Sequence, residues 1–178
     1  MTEGRSAVSN ETIIYCDMDG VLVDFAPAAV DLCTRILDDS IGSETYLQSN
    51  TIKKAIRRIR KEMGSDWRPG SEEDLDGGPI KKLYFAAIGF APGKFFAGLK
   101  PLPDAMELLW PYINNSNYEV KLLSAPIQIR QGYSPVEEAT IMTTEEGKKQ
   151  WAEEFLNPPP SEVIITPARF KQDCAESG

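Results

Sequence analysis

The stretch that decides the fold is Thr12-Ile-Ile-Tyr-Cys-Asp-Met-Asp-Gly-Val-Leu-Val-Asp-Phe25. Its first five residues, 12–16, form a short apolar and β-branched run that predicts a fully buried β-strand. Asp17 and Asp19 follow at once. Because side chains two residues apart on an extended chain point the same way, both carboxylates can face one ligand. Gly20 permits a tight turn directly after the pair.

The carboxylate pair indicates a cation site. Two carboxylates this close repel each other unless a metal ion or a shared proton lies between them. Mg²⁺ prefers oxygen ligands and retains several waters, so we expect Asp17 and Asp19 to hold this ion. The alternative is a surface turn with two solvated acids, which the apolar residues on both sides of the pair disfavour.

Composition limits the chemistry that the chain can perform. The 178 residues suit one domain, and 42% of them are hydrophobic, which is typical of a globular protein. The absence of histidine excludes Ser-His-Asp triads, Cys-His dyads and imidazole metal sites. The three cysteines have no CxxC spacing and suit a reducing compartment. Catalysis would therefore rest on carboxylates, hydroxyls, lysines and a hard cation.

Charge and hydropathy limit the partners. Lys and Arg number 19 against 27 Asp and Glu, and this net charge of −8 disfavours a large nucleic-acid interface. No apolar run is long enough to span a membrane, and the first ten residues lack a signal-peptide core. We therefore expect a cytoplasmic protein without a membrane partner. A basic run at 53–61 either attracts an anionic substrate or nucleic-acid strand, or is a solvated helix face.

Helical and strand patterns alternate along the rest of the chain. Helical spacing of apolar residues recurs in five segments, and two further apolar runs have strand character. The predicted helices begin at Phe25 (ending near 39–42), cover 52–63, 80–91 and 102–113, and begin again at Thr144; the predicted strands are Tyr118–Ser124 and Glu162–Thr166. Residues 126–143 show no clear period, and the stretch from Pro167 onward is a polar tail.

This alternation predicts an α/β fold with a three-layer, Rossmann-like core and a mostly parallel sheet. The stretch between the first two strands is too long for a single crossover connection. We interpret it as an α-helical cap, residues 26–100, inserted after the first strand. Residues 1–25 and 101–178 would then form the core, and ligands would bind at the carboxyl ends of its strands.

The segment Asp17–Phe25 resembles the first motif of the haloacid dehalogenase (HAD) superfamily of phosphatases, and most closely its 5′(3′)-deoxyribonucleotidase branch. Three later segments resemble other parts of that branch. Phe96–Pro101 is similar to the return from cap to core, and Leu122–Ile127 to the second motif. Lys148–Trp151 is similar to the third motif, Lys-x-x-Trp at the start of a helix.

The resemblance implies a role for each matched residue. Asp17 would attack phosphorus and become an aspartyl phosphate. Asp19 would protonate the leaving alcohol and then activate water. Asp17 and the backbone carbonyl of Asp19 would hold Mg²⁺. Ser124 and Lys148 would bind the phosphoryl group, and Lys171 is a further candidate, because relatives place a basic residue after the third strand.

Purely structural interpretations of these residues also stay open. Ser124 is equally a strand-end serine, and Lys148 a solvated helix residue, although the Lys-x-x-Trp spacing favours it over Lys149. Six aromatic residues of the cap could stack on a nucleobase, but each could equally be a packing residue. These six are Trp67, Tyr84, Phe85, Phe90, Phe95 and Phe96.

The implied activity is Mg²⁺-dependent hydrolysis of a small phosphomonoester, foremost a deoxyribonucleoside monophosphate, in nucleotide metabolism. Two alternatives remain: a catalytically lapsed or incomplete nucleotide-binding or interaction protein, and a phosphatase for another phosphorylated metabolite. The fourth motif of the superfamily, an apolar strand ending in metal-binding acids, has no counterpart. Asp173 and Glu176 follow no apolar strand. We therefore expect an open edge on the first strand, completed by a second chain or by a homodimer.

Overall fold

A computed structural model of the chain describes residues 12–38, 49–127 and 141–176. These residues form a mixed α/β structure with seven α-helices and one three-stranded sheet. In chain order the elements are β1 (Thr12–Cys16), α1 (Phe25–Leu37), α2 (Asn50–Met63), α3 (Gly78–Ile88), α4 (Pro92–Ala97), α5 (Pro103–Ile113), β2 (Tyr118–Ser124), α6 (Thr144–Phe155), β3 (Glu162–Ile165) and α7 (Lys171–Glu176). Short 3₁₀ turns lie at Glu73–Asp76 and Ala168–Phe170.

The sheet is parallel, with strand order β1-β2-β3, which confirms the predicted α/β class. Cys16 lies opposite Leu122, and Ser124 lies opposite Ile165. The carboxyl ends of all three strands therefore meet along one edge. Among the described residues, only β2 pairs with β1, so the other side of β1 is open.

The turn after β1 is built around Met18, whose side chain is fully buried. Its carbonyl accepts hydrogen bonds from the backbone N–H groups of Leu22 and Val23, at 2.9 and 3.1 Å. Gly20 has a φ of +75°, a conformation that costs glycine little and other residues more. The buried Met18 side chain and the hydrogen bonds to its carbonyl fix the turn. The two aspartates that flank Met18 are therefore held at the end of the strand.

Five of the described helices, α1 to α5, lie between β1 and β2. The stripe predicted over 52–63 lies in α2, whose apolar residues Ile52, Ala55, Ile56 and Ile59 are buried. This helix packs on α3, and α1 contacts α3 as well. After α4 the chain returns to the turn that follows β1, where the Leu102 N–H donates a hydrogen bond of 2.9 Å to the Leu22 carbonyl. The division into core and cap stays a prediction.

The bounds of two predicted helices were wrong, and a short helix in the polar tail was not predicted. The helix predicted over 80–91 is α3, which ends at Ile88, and a separate helix, α4, begins at Pro92, because proline favours the first turn of a new helix. The first helix ends at Leu37, before the predicted stop; residues 39–48 lie outside the described residues. The tail predicted as merely polar carries α7. Most of the unassigned stretch, 128–140, also lies outside the described residues.

The amino end of α6 is fixed by a reciprocal capping interaction. The Thr143 hydroxyl accepts the backbone N–H of Glu146 at 3.2 Å, and the Glu146 carboxylate accepts the backbone N–H of Thr143 at 2.7 Å. The Glu146 carboxylate also accepts the Thr143 hydroxyl at 2.9 Å, and the two hydrogen bonds that this carboxylate accepts from Thr143 lower the pKa of Glu146 below its ordinary value. The cap sets where the helix begins, and so which of its residues face the sheet.

A search of the described helices for a membrane span finds none with the necessary length and apolarity.

Candidate active site

Five side chains converge at the carboxyl edge of the sheet. Asp17 and Asp19 follow β1, Ser124 ends β2, Lys148 lies in α6, and Lys171 begins α7. All five were predicted as site residues from the sequence, and the fold brings them to the same edge of the sheet. There they form two neighbouring hydrogen-bonded groups: Asp17 with Lys171, and Asp19 with Ser124 and Lys148.

Asp17 is the more exposed of the two acids, with 44% of its side chain accessible. Its Oδ2 accepts a hydrogen bond from Lys171 Nζ at 2.7 Å, and its Oδ1 accepts one from the backbone N–H of Met18 at 2.8 Å. The backbone bond fixes the orientation of the carboxylate. Lys171 reaches the site from the far end of the chain because the 3₁₀ turn after β3 leads straight into α7.

Asp19 lies deeper and its two oxygens differ. Its Oδ2 accepts hydrogen bonds from Lys148 Nζ at 2.6 Å and from the Ser124 hydroxyl at 3.1 Å. Its Oδ1 is buried and has no hydrogen-bond partner among the described residues. A buried carboxylate oxygen without a partner is costly, so a group that binds this oxygen would relieve a real penalty.

Lys148 is fully buried. Its ammonium group donates to Asp19 Oδ2, to the Ser124 hydroxyl at 2.5 Å and to the Ala125 carbonyl at 3.1 Å. The same nitrogen lies 4.1 Å from the centroid of the Phe96 ring, a favourable cation–π distance. Burial lowers the pKa of Lys148 below its ordinary value, and the negative charges of Asp19 and Asp17 oppose that shift.

The side chains of Lys148 and Lys149 lie in different environments, since Lys148 is buried and Lys149 is exposed. Lys149 is about half exposed and pairs with Glu145 on the outer surface of α6. Lys148 shares the inner face with Trp151, which is fully buried and donates from Nε1 to the Leu99 carbonyl at 2.9 Å. Residues three apart lie on one helix face, so the Trp151 anchor directs Lys148 into the site.

The position of α6 depends on a glycine pair that sequence reasoning missed. A Cβ atom on Gly147 would lie only 2.5 Å from Cα of Gly93 in α4. The two helices therefore touch backbone to backbone, which brings Lys148 and Phe96 together. A signal was present, because a glycine inside a helix costs about 1 kcal/mol relative to alanine and often has a packing reason.

A cleft of about 500 Å³ opens beside Asp19. Phe25 and Phe85 supply its aromatic wall, and Phe85 is 43% exposed. The rest of its lining is apolar and comes from Ala125, Pro126, Ile127, Pro167 and Ala168. Of the six aromatic candidates, only Phe85 lines this cleft; Tyr84, Phe90 and Phe96 are buried packing residues. Phe25 was not among the six candidates.

The donor set fits Mg²⁺ bound in part by substrate. No group of three or more acidic, cysteine or histidine side chains that could hold a metal occurs among the described residues. Mg²⁺, however, commonly uses one or two protein carboxylates and completes its shell with water and substrate phosphate. The Asp17 carboxylate, the more exposed of the two acids, is an oxygen donor of that kind.

Comparison with known proteins adds no family to this picture. No protein-family model matches the chain, and no curated protein matches its sequence. The geometry of the five side chains therefore carries the functional argument.

Proposed function

We propose that this protein is a Mg²⁺-dependent phosphatase of the HAD type that hydrolyses small phosphomonoesters, foremost deoxyribonucleoside monophosphates. A Rossmann-like, three-layer core with an inserted helical cap and a cytoplasmic location belong to the same proposal. The observation that carries it is the cluster of Asp17, Asp19, Ser124, Lys148 and Lys171 at the carboxyl ends of parallel strands. Phosphoryl transfer depends mainly on positioned charge, which this cluster supplies.

In the first step, an oxygen of Asp17 attacks phosphorus while the bond from phosphorus to the leaving alcohol oxygen breaks. Asp19 gives its proton to that oxygen, so the alcohol leaves neutral and an aspartyl phosphate forms on Asp17. The proton is best placed on Oδ1 of Asp19, since Oδ2 already accepts from Lys148 and Ser124. A protonated Oδ1 lacks an acceptor until the substrate oxygen arrives.

In the second step, Asp19 takes a proton from water, and the water oxygen attacks phosphorus. The bond to Asp17 breaks, which releases inorganic phosphate, restores the Asp17 carboxylate and leaves Asp19 protonated as at the start. Lys148 and Ser124 hold Asp19 in place throughout, and Lys171 keeps Asp17 neutralised before substrate binds. With Asp19 protonated, the Asp17 carboxylate and the two ammonium groups carry a net charge of +1, so a phosphate dianion leaves one negative charge uncompensated, which bound Mg²⁺ would balance.

The cleft beside Asp19 supports an aromatic leaving group such as a nucleoside. The Phe85 ring is partly exposed on its wall, and stacking of a base on such a ring contributes about 1–3 kcal/mol. The apolar lining offers few polar groups that could read one base. This favours a nucleotide over a sugar phosphate, which would need more hydrogen-bond partners.

The test is phosphate release from a panel of deoxyribonucleotides, ribonucleotides and other phosphomonoesters, with Mg²⁺ and with EDTA. We expect release that requires Mg²⁺ and is abolished by Asp17→Asn. Asp31→Asn is the matched control, because Asp31 is an exposed partner of Arg35 and its change removes the same charge. A folded protein that binds nucleotide and releases no phosphate would instead favour a lapsed or incomplete enzyme.

The proposal also includes a partner at the open side of β1. An apolar groove lined by Ile14, Val21, Leu108 and Tyr112 runs beside this strand, and Leu108 is 71% exposed. A strand from another chain, or from a second copy, could pair here and cover the groove. Light scattering on the purified chain and on Leu108→Glu tests this. Association that the substitution weakens supports it, whereas a monomer at every concentration contradicts it.

A further inference from the structure

The outer face of α2 carries a concentration of positive charge that the proposed phosphatase does not use. Six cationic side chains and one acidic one give this helix a net charge of +5 in a chain whose net charge is −8. At 3.6 residues per turn, the six lie within an arc of roughly 160°, opposite the buried apolar face. They are Lys53, Lys54, Arg57, Arg58, Arg60 and Lys61.

Most of these positive charges have no acidic partner within the part of the chain that the structure describes. Arg58 pairs with Glu62 at 2.6 Å. The other exposed cations, Lys54, Arg57, Arg60 and Lys61, have no acidic partner among the described residues. Arg57 lies three or four positions from each of the other three, a spacing at which like charges destabilise a helix. Folding alone does not explain such a stripe, and an anionic ligand would compensate it.

The geometry of the α2 cations favours a nucleic-acid strand over a membrane surface as the anionic ligand. A membrane surface would require the apolar face of the helix to insert, but Ile52 and Ile59 on that face are fully buried. From Lys53 to Lys61 the helix rises about 12 Å, and at about 3.4 Å per phosphate this matches roughly four phosphates of a nucleic-acid strand. The four unrelieved cations match that number. Such a short contact is compatible with the negative charge of the whole chain.

We propose that the α2 face, comprising the six cations above, binds the phosphate backbone of a nucleic-acid strand without reading its sequence. The face points away from α3, whose Phe85 lines the catalytic cleft, because α2 packs on α3 through its opposite, apolar side. Binding is therefore separate from hydrolysis of small substrates. It would localise the protein near polymeric nucleic acid.

The test is fluorescence anisotropy with a labelled oligothymidylate, measured across a range of salt concentrations. Four phosphate contacts to a single strand give a slope of about −3 for log affinity against log salt. We expect the variant Lys54→Gln/Arg57→Gln/Arg60→Gln/Lys61→Gln to bind at least tenfold more weakly and to lose most of that slope. Glutamine has nearly the helix propensity of lysine and arginine, so α2 should persist, as circular dichroism would verify.

The matched control is Lys81→Gln/Lys82→Gln/Lys94→Gln/Lys100→Gln, which removes the same charge from four exposed lysines outside α2. It should bind like the unmodified chain. Equal weakening in both variants would reduce the effect to net charge and overturn the proposal. So would no binding by the unmodified chain at low salt, or preference for anionic phosphatidylserine vesicles. Phosphate release from small substrates, measured alongside, should be unaffected in both variants, so failure of the catalytic proposal would be seen separately.

Discussion

Replacement of Gly147 by alanine sets two effects of known size against each other. Alanine inside a helix is favoured over glycine by about 1 kcal/mol, so on an isolated helix the change would stabilise. Here the new Cβ would lie 2.5 Å from Cα of Gly93, whereas carbon atoms pack at about 3.5–4.0 Å. Because the obstacle is backbone, no rotamer relieves it, and α4 and α6 must separate by roughly 1 Å.

Overpacking of this kind costs typically about 1–3 kcal/mol. A contact of backbone against backbone belongs to the upper part of that range, about 2–3 kcal/mol, so after the gain in helix propensity we expect Gly147→Ala to lower the free energy of unfolding by about 1–2 kcal/mol. The corresponding fall in Tm is about 2–8 °C for a chain of this size. The separation should also pull Lys148 away from Asp19 and Ser124, so phosphate release should fall together with stability.

Urea unfolding followed by circular dichroism measures the change, with Gly78→Ala as the matched control. Gly78 is the first residue of helix α3, and a Cβ atom on Gly78 would have no neighbouring atom within 4 Å. It should be neutral or slightly stabilising. If Gly147→Ala proves as stable as the control, the close approach of α4 and α6 is not what positions Lys148, and the reasoning fails.

Three further changes probe the site. Lys148→Met should reduce phosphate release at least about 100-fold and lower the free energy of unfolding by about 1–3 kcal/mol, because it removes the positive charge that compensates Asp19. Lys149→Met, on the outer face of α6, should change neither quantity. Equal loss of activity in the two variants would contradict the placement of Lys148 in the site. Phe85→Ala should raise KM for a nucleotide roughly 5–150-fold with little change in kcat, as loss of base stacking predicts, whereas Trp110→Ala, at an exposed aromatic outside the cleft, should not. Burial raises the pKa of Cys33 to about 12, so its thiol should be alkylated at pH 8 roughly a thousandfold more slowly in the folded than in the urea-unfolded chain, by mass spectrometry. Between about pH 9 and pH 12, the Cys33 thiol is ionised in the unfolded chain but still protonated in the folded chain. Cys33 should therefore lower the free energy of unfolding as the pH rises through that range, and a free energy that rises there would contradict the sign.

The parts of the structure that were predicted correctly depend on local patterns. β1 and its two aspartates could be identified because an apolar run followed by alternating acids fixes the strand and the direction of the acids, although β1 is half-buried and not fully buried as predicted. The same holds for α6, whose start at Thr144 was predicted from the acidic first turn of Glu145 and Glu146. Lys148 was distinguished from Lys149 through the spacing to Trp151.

The remaining features depend on contacts between distant segments. α4 and α7 have only six residues each, and helices this short are stabilised by packing rather than by their own periodicity. The contact of Gly93 with Gly147 becomes visible only once two helices are known to meet. Likewise, periodicity cannot decide which aromatic ring faces a cleft, so Phe85 was one candidate among six.

The ion pairs of the site also have a consequence for biosynthesis. Asp19 and Lys148 are separated by 129 positions, and Asp17 and Lys171 by 154. Closing loops of this length is slow and entropically costly, so these contacts should form late in folding. On the ribosome, Asp19 is made 129 residues before its ammonium partner Lys148, and Asp17 is made 154 residues before Lys171. A nascent chain paused before residue 148 would carry an unneutralised acidic pair at the end of an exposed strand, and would be a natural client for chaperones.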